Sequence, residues 1–124
     1  MRTECKFDYI KNDFWEIVDK WKSNTNWTLY DKNEDFQHFQ KTSLISGPKM
    51  NILIQKNGHS VLIQAWLDVR GINKLLTLGM TPSEVSIDTQ SKSVVDNVIG
   101  VVPQAVNRAA LNNLLTSLNQ NTIS

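Results

Sequence analysis

The clearest pattern in this chain is an alternation of apolar and polar residues from Met50 to Val69, interrupted by Asn57-Gly58. The pattern predicts a β-hairpin whose two strands are joined by a two-residue type I′ turn at Asn57-Gly58. Pairing outward from that turn places Lys56 opposite His59. One face of the predicted hairpin is then apolar throughout, and it carries Met50, Ile52, Ile54, Val61, Ile63, Ala65, Leu67 and Val69. The other face is mostly polar, so the hairpin is expected to bury one side.

A helical spacing replaces this alternation near the start of the chain. From Phe7 to Trp21, apolar residues recur every three or four positions, which predicts an amphipathic helix. Its apolar stripe consists of Phe7, Ile10, Phe14, Ile17, Val18 and Trp21. The opposite side carries charges of both signs, which favours packing on a sheet over lying on a membrane surface. A short strand from Arg2 to Phe7 is a further option for the first residues.

Further strands are predicted on both sides of the hairpin. Trp27 to Tyr30 has strand character, and Phe36 to Thr42 alternates without a continuous apolar face, which is typical of an edge strand. Beyond the hairpin, Thr81 to Glu84 matches a capping box with proline at the first helical position. Val85 to Thr89 nevertheless alternates with a period of two, so a last strand and a helix start are both open there.

The C-terminal part carries the clearest helix pattern. Pro103 suits the first helical position, because its missing N–H would have no partner there in any case. The predicted helix runs from Gln104 to Leu118 with Asn107 outward. Its inward positions are Val106, Ala109, Ala110, Leu111, Leu114, Leu115 and Leu118. Arg70 to Met80, upstream, is too apolar for a plain surface loop, and a helix, a lid or an interface would each explain it.

These elements predict a single α+β domain over residues 1–124. The expected architecture is an antiparallel sheet of four to five strands, with an N-terminal and a C-terminal helix packed on its apolar face as a two-layer sandwich. If the sheet curls around the C-terminal helix, the order of elements also resembles the helix-grip or TBP-like class of folds. That resemblance is one of topology alone.

Composition and charge narrow the function classes. The chain is 40% hydrophobic and 20% charged, with a formal net charge of +1, which fits an ordinary globular protein. No basic stripe is present, so nucleic-acid binding is not expected. No apolar run reaches the roughly 20 residues that span a bilayer, and the first residues do not resemble a signal peptide. The single Cys5 cannot form an intrachain disulfide, so a cytoplasmic location is the default expectation.

No motif for catalysis or metal binding emerges. His38 and His59 are the only histidines, and neither has further ligands at a metal-binding spacing. Cys5 has no histidine beside it to activate a thiolate. The glycines are isolated, so no phosphate-binding loop is predicted. We therefore predict no catalytic residue, no metal and no cofactor, which favours a non-enzymatic role.

An apolar patch on the polar face of the hairpin is the one candidate for a binding surface. The alternation places Trp66 on that face together with Leu53 and Leu62, which the predicted register sets directly opposite each other. Exposed patches of this kind are uncommon on monomers, and tryptophan is enriched at interfaces. Two explanations are open: another segment of the chain, such as Ile72 to Leu78, covers the patch, or a partner or ligand does.

Three functions follow from these candidates. The favoured one is a non-enzymatic cytoplasmic interaction or accessory domain that self-associates or binds a protein partner. Its candidate interface residues are Leu53, Leu62, Trp66, Ile72, Leu75, Leu76 and Leu78. The second is a carrier or sensor of a small apolar ligand, in a pocket lined by Ile63, Leu67, Leu111 and Leu115. The third is peripheral membrane contact through the apolar residues of the 70–80 segment.

Overall fold

A computed structural model of the chain describes residues 2–42, 49–68, 84–85, 87 and 101–123. The first half of the fold comprises β1 (Thr3–Asp8), α1 (Phe14–Thr25), β2 (Thr28–Lys32) and β3 (Phe36–Thr42). The second half comprises β4 (Lys49–Asn57), β5 (Ser60–Asp68), β6 (Glu84–Val85) and α2 (Val101–Ser117). The predicted segment from Arg70 to Met80 lies outside the described residues.

The strands form one antiparallel sheet in the order β1-β5-β4-β3-β2, and the short β6 also pairs with β5. With a helix from each end of the chain, this confirms the predicted α+β class. The prediction that Phe36 to Thr42 is an edge strand was wrong, because β3 lies between β2 and β4. Phe39 on β3 is fully buried, so one face of this strand belongs to the core.

The β4-β5 hairpin has the predicted faces but a different register. Asn57 pairs with Ser60, so the two-residue turn consists of Gly58 and His59 and the predicted turn at Asn57-Gly58 was wrong. Gly58 is the position with positive φ, at 64°, whereas a type I′ turn needs positive φ at both central residues. Because the register moves by two residues, each side chain keeps its predicted face.

The helix α1 starts later than its sequence spacing predicts. Phe7 pairs with Val61 in the sheet and therefore belongs to β1, which confirms the leading strand. Ile10 is 74% exposed and takes no part in the apolar stripe. The helix begins at Phe14 and ends at Thr25, and the left-handed φ of 59° at the following Asn26 terminates it.

Both helices pack on the apolar face of the sheet and share one core with it. The buried hydrophobic residues of that core are Tyr9, Phe14, Val18, Trp21, Trp27, Phe39, Met50, Ile52, Ile54, Val61, Ile63, Ala65, Leu67, Ile87, Ala110, Leu111, Leu114, Leu115 and Leu118. The indole Nε1 of Trp21 donates a hydrogen bond to the Ala110 carbonyl oxygen at 2.9 Å, which joins α1 to α2 inside this layer.

The buried stripe of α2 is rotated relative to the prediction. Asn107, predicted to face outward, is fully buried, whereas Val106 is 43% exposed. The amide of Asn107 donates to the Trp66 carbonyl oxygen at 3.2 Å, which supplies one partner for this buried polar group. Among the described residues, no helix is both long and apolar enough to cross a membrane.

Candidate functional site

The candidate site lies on the face of the sheet that turns away from both helices, which we call the outer face. Side chains alternate between the two faces of a strand, and Met50, Ile52 and Ile54 belong to the core. Asn51 and Leu53 on β4 therefore lie on the outer face. Their cross-strand partners Trp66 and Gln64, on β5, lie there with them.

Three rings form a row across the outer face, which we call the aromatic row: Tyr30, His38 and Trp66. The centroid of the His38 ring lies 5.1 Å from that of Tyr30 and 5.3 Å from that of Trp66. The rings come from β2, β3 and β5, so the row crosses most of the width of the sheet. Strand pairing sets the positions of His38 and Trp66, whereas Tyr30 lies at the register shift of β2 between Leu29 and Asp31.

A buried amide fixes the middle of the aromatic row. Asn51 is 1% exposed, and its Oδ1 accepts a hydrogen bond from Gln40 Nε2 at 2.8 Å. The same oxygen lies 2.9 Å from His38 Nε2, a distance at which the protonated nitrogen donates to it. The Asn51 Nδ2 donates in turn to the Lys49 carbonyl oxygen at 3.2 Å. The imidazole is thus held by contacts with two rings and by a hydrogen bond to Asn51.

Arg2 covers the far end of the aromatic row. Its guanidinium carbon lies 3.6 Å from the centroid of the Trp66 ring, within the range of a cation–π contact. The guanidinium Nη1 donates to Gln64 Oε1 at 3.1 Å, and Gln64 Nε2 donates to Glu4 Oε2 at 2.6 Å. Arg2, Gln64 and Glu4 therefore form a chain of polar contacts along β1 and β5.

Accessibility differs sharply along the row. Trp66 is 4% exposed and Tyr30 is 65% exposed. Tyr30 borders a shallow depression of about 350 Å³. The other residues that line it are Thr28, Leu29, Gln40, Lys41 and Lys49. The end of the aromatic row at β2 is consequently the part that another molecule can touch.

The predicted apolar patch does not have its expected form. Leu53 pairs with Gln64 and Leu62 pairs with Gln55, so the two leucines are not opposite each other. The Trp66 ring is not exposed, because Arg2 lies over it and His38 packs beside it. Leu53 and Leu62 are half-buried. The remaining interface candidates, Ile72, Leu75, Leu76 and Leu78, lie outside the described residues, and the use of these residues as an interface stays a prediction.

The four residues predicted to line a ligand pocket come together in the core. Ile63, Leu67 and Leu111 are fully buried, and Leu115 is 1% exposed. They pack within the core shared by both helices and the sheet. None of them borders the depression beside Tyr30 or the one of about 420 Å³ beside Lys6 and Asp8. A ligand pocket at these residues stays a prediction.

Two titratable groups of the described chain, Cys5 and Tyr9, have raised pKa values. No group of three or more His, Cys, Asp or Glu side chains there is close enough together to hold a metal ion. Burial raises the pKa of the Cys5 thiol, which lowers its thiolate fraction and its reactivity. Burial and the hydrogen bond to Asp13 raise the pKa of Tyr9 to about 12. That hydrogen bond, 2.7 Å from the Tyr9 hydroxyl to Asp13 Oδ1, ties β1 to the start of α1.

Sequence reasoning missed four members of this site: Arg2, Tyr30, His38 and Asn51. The alternation of β4 and β5 was enough to place Asn51 on the same face as Trp66. The pairing of β3 with β4 was not read from the sequence, so the approach of His38 to Asn51 went unseen. The signal for this site in the sequence is the occurrence of three aromatic or imidazole residues at outward positions of three predicted strands.

No protein-family model, curated protein or solved structure matches this chain.

Proposed function

We propose that this protein is a non-enzymatic interaction domain that binds a protein partner through the outer face of its sheet. The observation that carries the proposal is the aromatic row, which ends in Tyr30, a residue that is 65% exposed and whose ring packs against His38. Tyrosine, tryptophan and arginine are the residues most enriched at the energetically dominant positions of protein interfaces. The row and Arg2 bring all three onto one face.

Preorganisation supports binding at this surface. Ordering a flexible side chain on binding costs about 0.5–1.5 kcal/mol, and that cost is smaller where the side chain is already held. His38 is held by Asn51 and by two rings before any partner arrives. The Tyr30 ring packs against His38 and is therefore partly fixed, while most of the surface of Tyr30 remains accessible to a partner.

The charges of the outer face favour a protein over a polyanion. Glu4, Lys6 and Asp8 lie on this face of β1, since they pair with Gln64, Leu62 and Ser60 on β5. Both signs alternate there, whereas a surface that binds nucleic acid needs a continuous positive field. A mixed polar surface around an aromatic centre is the usual composition of a protein interface.

The test compares what the protein captures from cells as wild type and as two matched variants. Tyr30→Ser removes the exposed ring of the aromatic row. Ile10→Ser removes a side chain that is 74% exposed and lies between β1 and α1, outside the row. The proposal expects a partner that wild type and Ile10→Ser retain and that Tyr30→Ser loses at unchanged thermal stability. A captured set that is empty, or identical for all three proteins, contradicts it.

We also propose a cytoplasmic location. The single Cys5 is a free thiol, which is compatible with a reducing compartment. Fractionation of cells that produce the tagged protein should recover it with the cytoplasmic contents, and recovery from the secreted or membrane fraction would contradict this.

A further inference from the structure

We propose that the flank of α2 around Asn112 is a binding site for an extended peptide segment that carries an aliphatic side chain. The end of this chain occupies the site in the structure as its own ligand. The occupying segment comprises residues 119–123, which we call the tail. This inference does not rest on the proposed function, because α2 packs on the apolar face of the sheet and Tyr30 lies on the outer face.

A tight reversal at the end of α2 directs the tail back along the helix. Asn119 has a left-handed φ of 59°. Its amide donates to the Thr116 carbonyl oxygen at 3.0 Å, and the Gln120 amide donates to the Leu115 carbonyl oxygen at 2.8 Å. This pair of hydrogen bonds is the Schellman motif, which ends a helix and turns the chain. The tail therefore runs beside the last turns of α2.

The side-chain amide of Asn112 holds one residue of the tail by both of its backbone groups. Its Oδ1 accepts a hydrogen bond from the Ile123 N–H at 2.8 Å, and its Nδ2 donates to the Ile123 carbonyl oxygen at 3.0 Å. One amide thus makes the same two hydrogen bonds that a residue of a neighbouring strand makes in a sheet. These contacts use no side-chain atom of Ile123, so they recognise the backbone of an extended peptide.

The side chain of Ile123 gives the site a preference for an aliphatic residue. It is partly buried and packs against the hydrophobic core. In contrast, Asn119, Asn121 and Thr122 of the tail are polar and exposed. The last residues of a domain are generally disordered unless contacts hold them. The burial of Ile123 and its two hydrogen bonds to Asn112 are therefore what holds the far end of the tail.

The site lies on the flank of α2 that faces away from α1. The Ala110 carbonyl oxygen accepts the indole hydrogen bond of Trp21, so the flank around Ala110 faces α1. Successive residues of a helix are rotated by about 100°, which places Arg108 and Asn112 on the opposite flank. There, Arg108 Nη1 donates to the Ile87 carbonyl oxygen at 2.8 Å. Two side chains of this flank, one turn apart, therefore bind main-chain groups.

A peptide that binds this site must displace the tail. The linker from Asn119 to Ile123 is short, so the tail meets the site at an effective concentration of about 1 mM or more. The apparent dissociation constant of a competing peptide is its intrinsic value divided by the fraction of protein whose site is not covered by the tail. A partner of this class therefore binds more tightly when the tail is weakened.

NMR titration with a synthetic peptide tests the site. The probe is an unlabelled peptide of residues 119–124, acetylated and amidated, added to ¹⁵N-labelled protein, and the readout is the shift of the backbone amide signals of α2. Ile123→Ser removes the aliphatic side chain from the tail and leaves Asn112 in place. This variant should bind the peptide with a dissociation constant of about 1 mM, and wild type should bind it about tenfold more weakly. No saturable shift in Ile123→Ser, or equal affinity of the two proteins, overturns the proposal.

Matched substitutions in the Ile123→Ser variant test the part that Asn112 plays. Asn112→Leu removes both backbone hydrogen bonds and should weaken peptide binding about tenfold or more. Asn113→Leu changes the next residue, which is exposed, and should leave the affinity within about twofold. Thermal unfolding checks that each variant folds. A peptide in which Ile123→Ser replaces the aliphatic residue should not bind. Binding of that peptide, or equal affinities of the Asn112→Leu and Asn113→Leu proteins, contradicts the proposal.

Hydrogen exchange of wild type gives a test that needs no substitution. The N–H of Ile123 donates to Asn112 Oδ1, so it should exchange more slowly than it would in an unfolded chain. Unlabelled peptide that takes the site releases the tail, and the exchange of the protein's own Ile123 amide should then become several-fold faster. An unchanged exchange rate while the peptide binds would show that the peptide binds elsewhere, which overturns the proposal.

Discussion

Asn51 shows how a single side chain organises the outer face. It is buried, and an amide offers both acceptor and donor, so it can serve Gln40, His38 and the Lys49 carbonyl together. A leucine of similar size at this position would leave the edge of the His38 ring without its partner. The orientation of His38, in the middle of the aromatic row, therefore depends on one buried polar residue.

Because of Tyr9, the stability of the fold changes with pH in the alkaline range. The pKa of Tyr9 is raised from 10.0 to about 12 by burial and by the hydrogen bond to Asp13. Between pH 10 and 12 the unfolded chain releases this proton while the folded chain keeps it, so the free energy of unfolding falls as pH rises. Below pH 10 this contribution is complete. Urea unfolding at stepped pH should show the fall in wild type and a reduced fall in Tyr9→Phe. Tyr30→Phe keeps Tyr9 and serves as the control; an equal fall in Tyr9→Phe would contradict this assignment.

Gly58 tests the turn of the β4-β5 hairpin. Its φ of 64° is unfavourable for a residue with a Cβ, although a Cβ built there meets no atom within 4 Å. Gly58→Ala should therefore lower the free energy of unfolding by about 1–2 kcal/mol through the backbone alone. Asn57→Ala should change it by less than about 0.5 kcal/mol, because Asn57 lies in the strand. A type I′ turn at Asn57-Gly58 would instead make both substitutions costly, and denaturant unfolding separates the two cases.

At the scale of elements, the helix α2 shows how a polar residue can belong to a buried stripe. The spacing of apolar residues has the same period whichever residue of the turn faces the core. Because Val106 is apolar and Asn107 is polar, the sequence predicted that Val106 faces inward. In the structure Asn107 faces the sheet, where its amide reaches the Trp66 carbonyl oxygen. The leucines of the next turns, Leu111 and Leu114, are fully buried as their spacing predicts.

A pair of substitutions in α2 tests this orientation. Leu114→Ala removes a fully buried side chain and should lower the free energy of unfolding by about 2–5 kcal/mol. Val106→Ala removes one that is 43% exposed and should cost less than about 1 kcal/mol. Thermal or urea unfolding of both variants against wild type gives the comparison. Comparable losses would mean that the stripe faces the core as the sequence alone predicts, with Val106 inward.

At the scale of the whole molecule, the parts that could be read from the sequence are those set by local periodicity. Alternation placed Ile52 and Ile63 on the core face whatever the register, because a shift of two residues preserves the face. The start of α1 could not be read in this way. Phe7 fits a helical stripe and a strand equally well, and its pairing with Val61, far along the chain, decided for the strand. Similarly, the contacts of Arg2 and His38 with Trp66 could be predicted only with knowledge of the strand order.

The central claim is that the exposed end of the aromatic row binds a protein partner. The affinity for that partner tests this claim most directly. Calorimetric titration of the captured partner should give a dissociation constant at least about 30-fold higher for Tyr30→Ser than for wild type, as expected for a dominant interface residue. Ile10→Ser should stay within about twofold of wild type. Equal affinities of Tyr30→Ser and wild type would show that the partner binds elsewhere and would contradict the account.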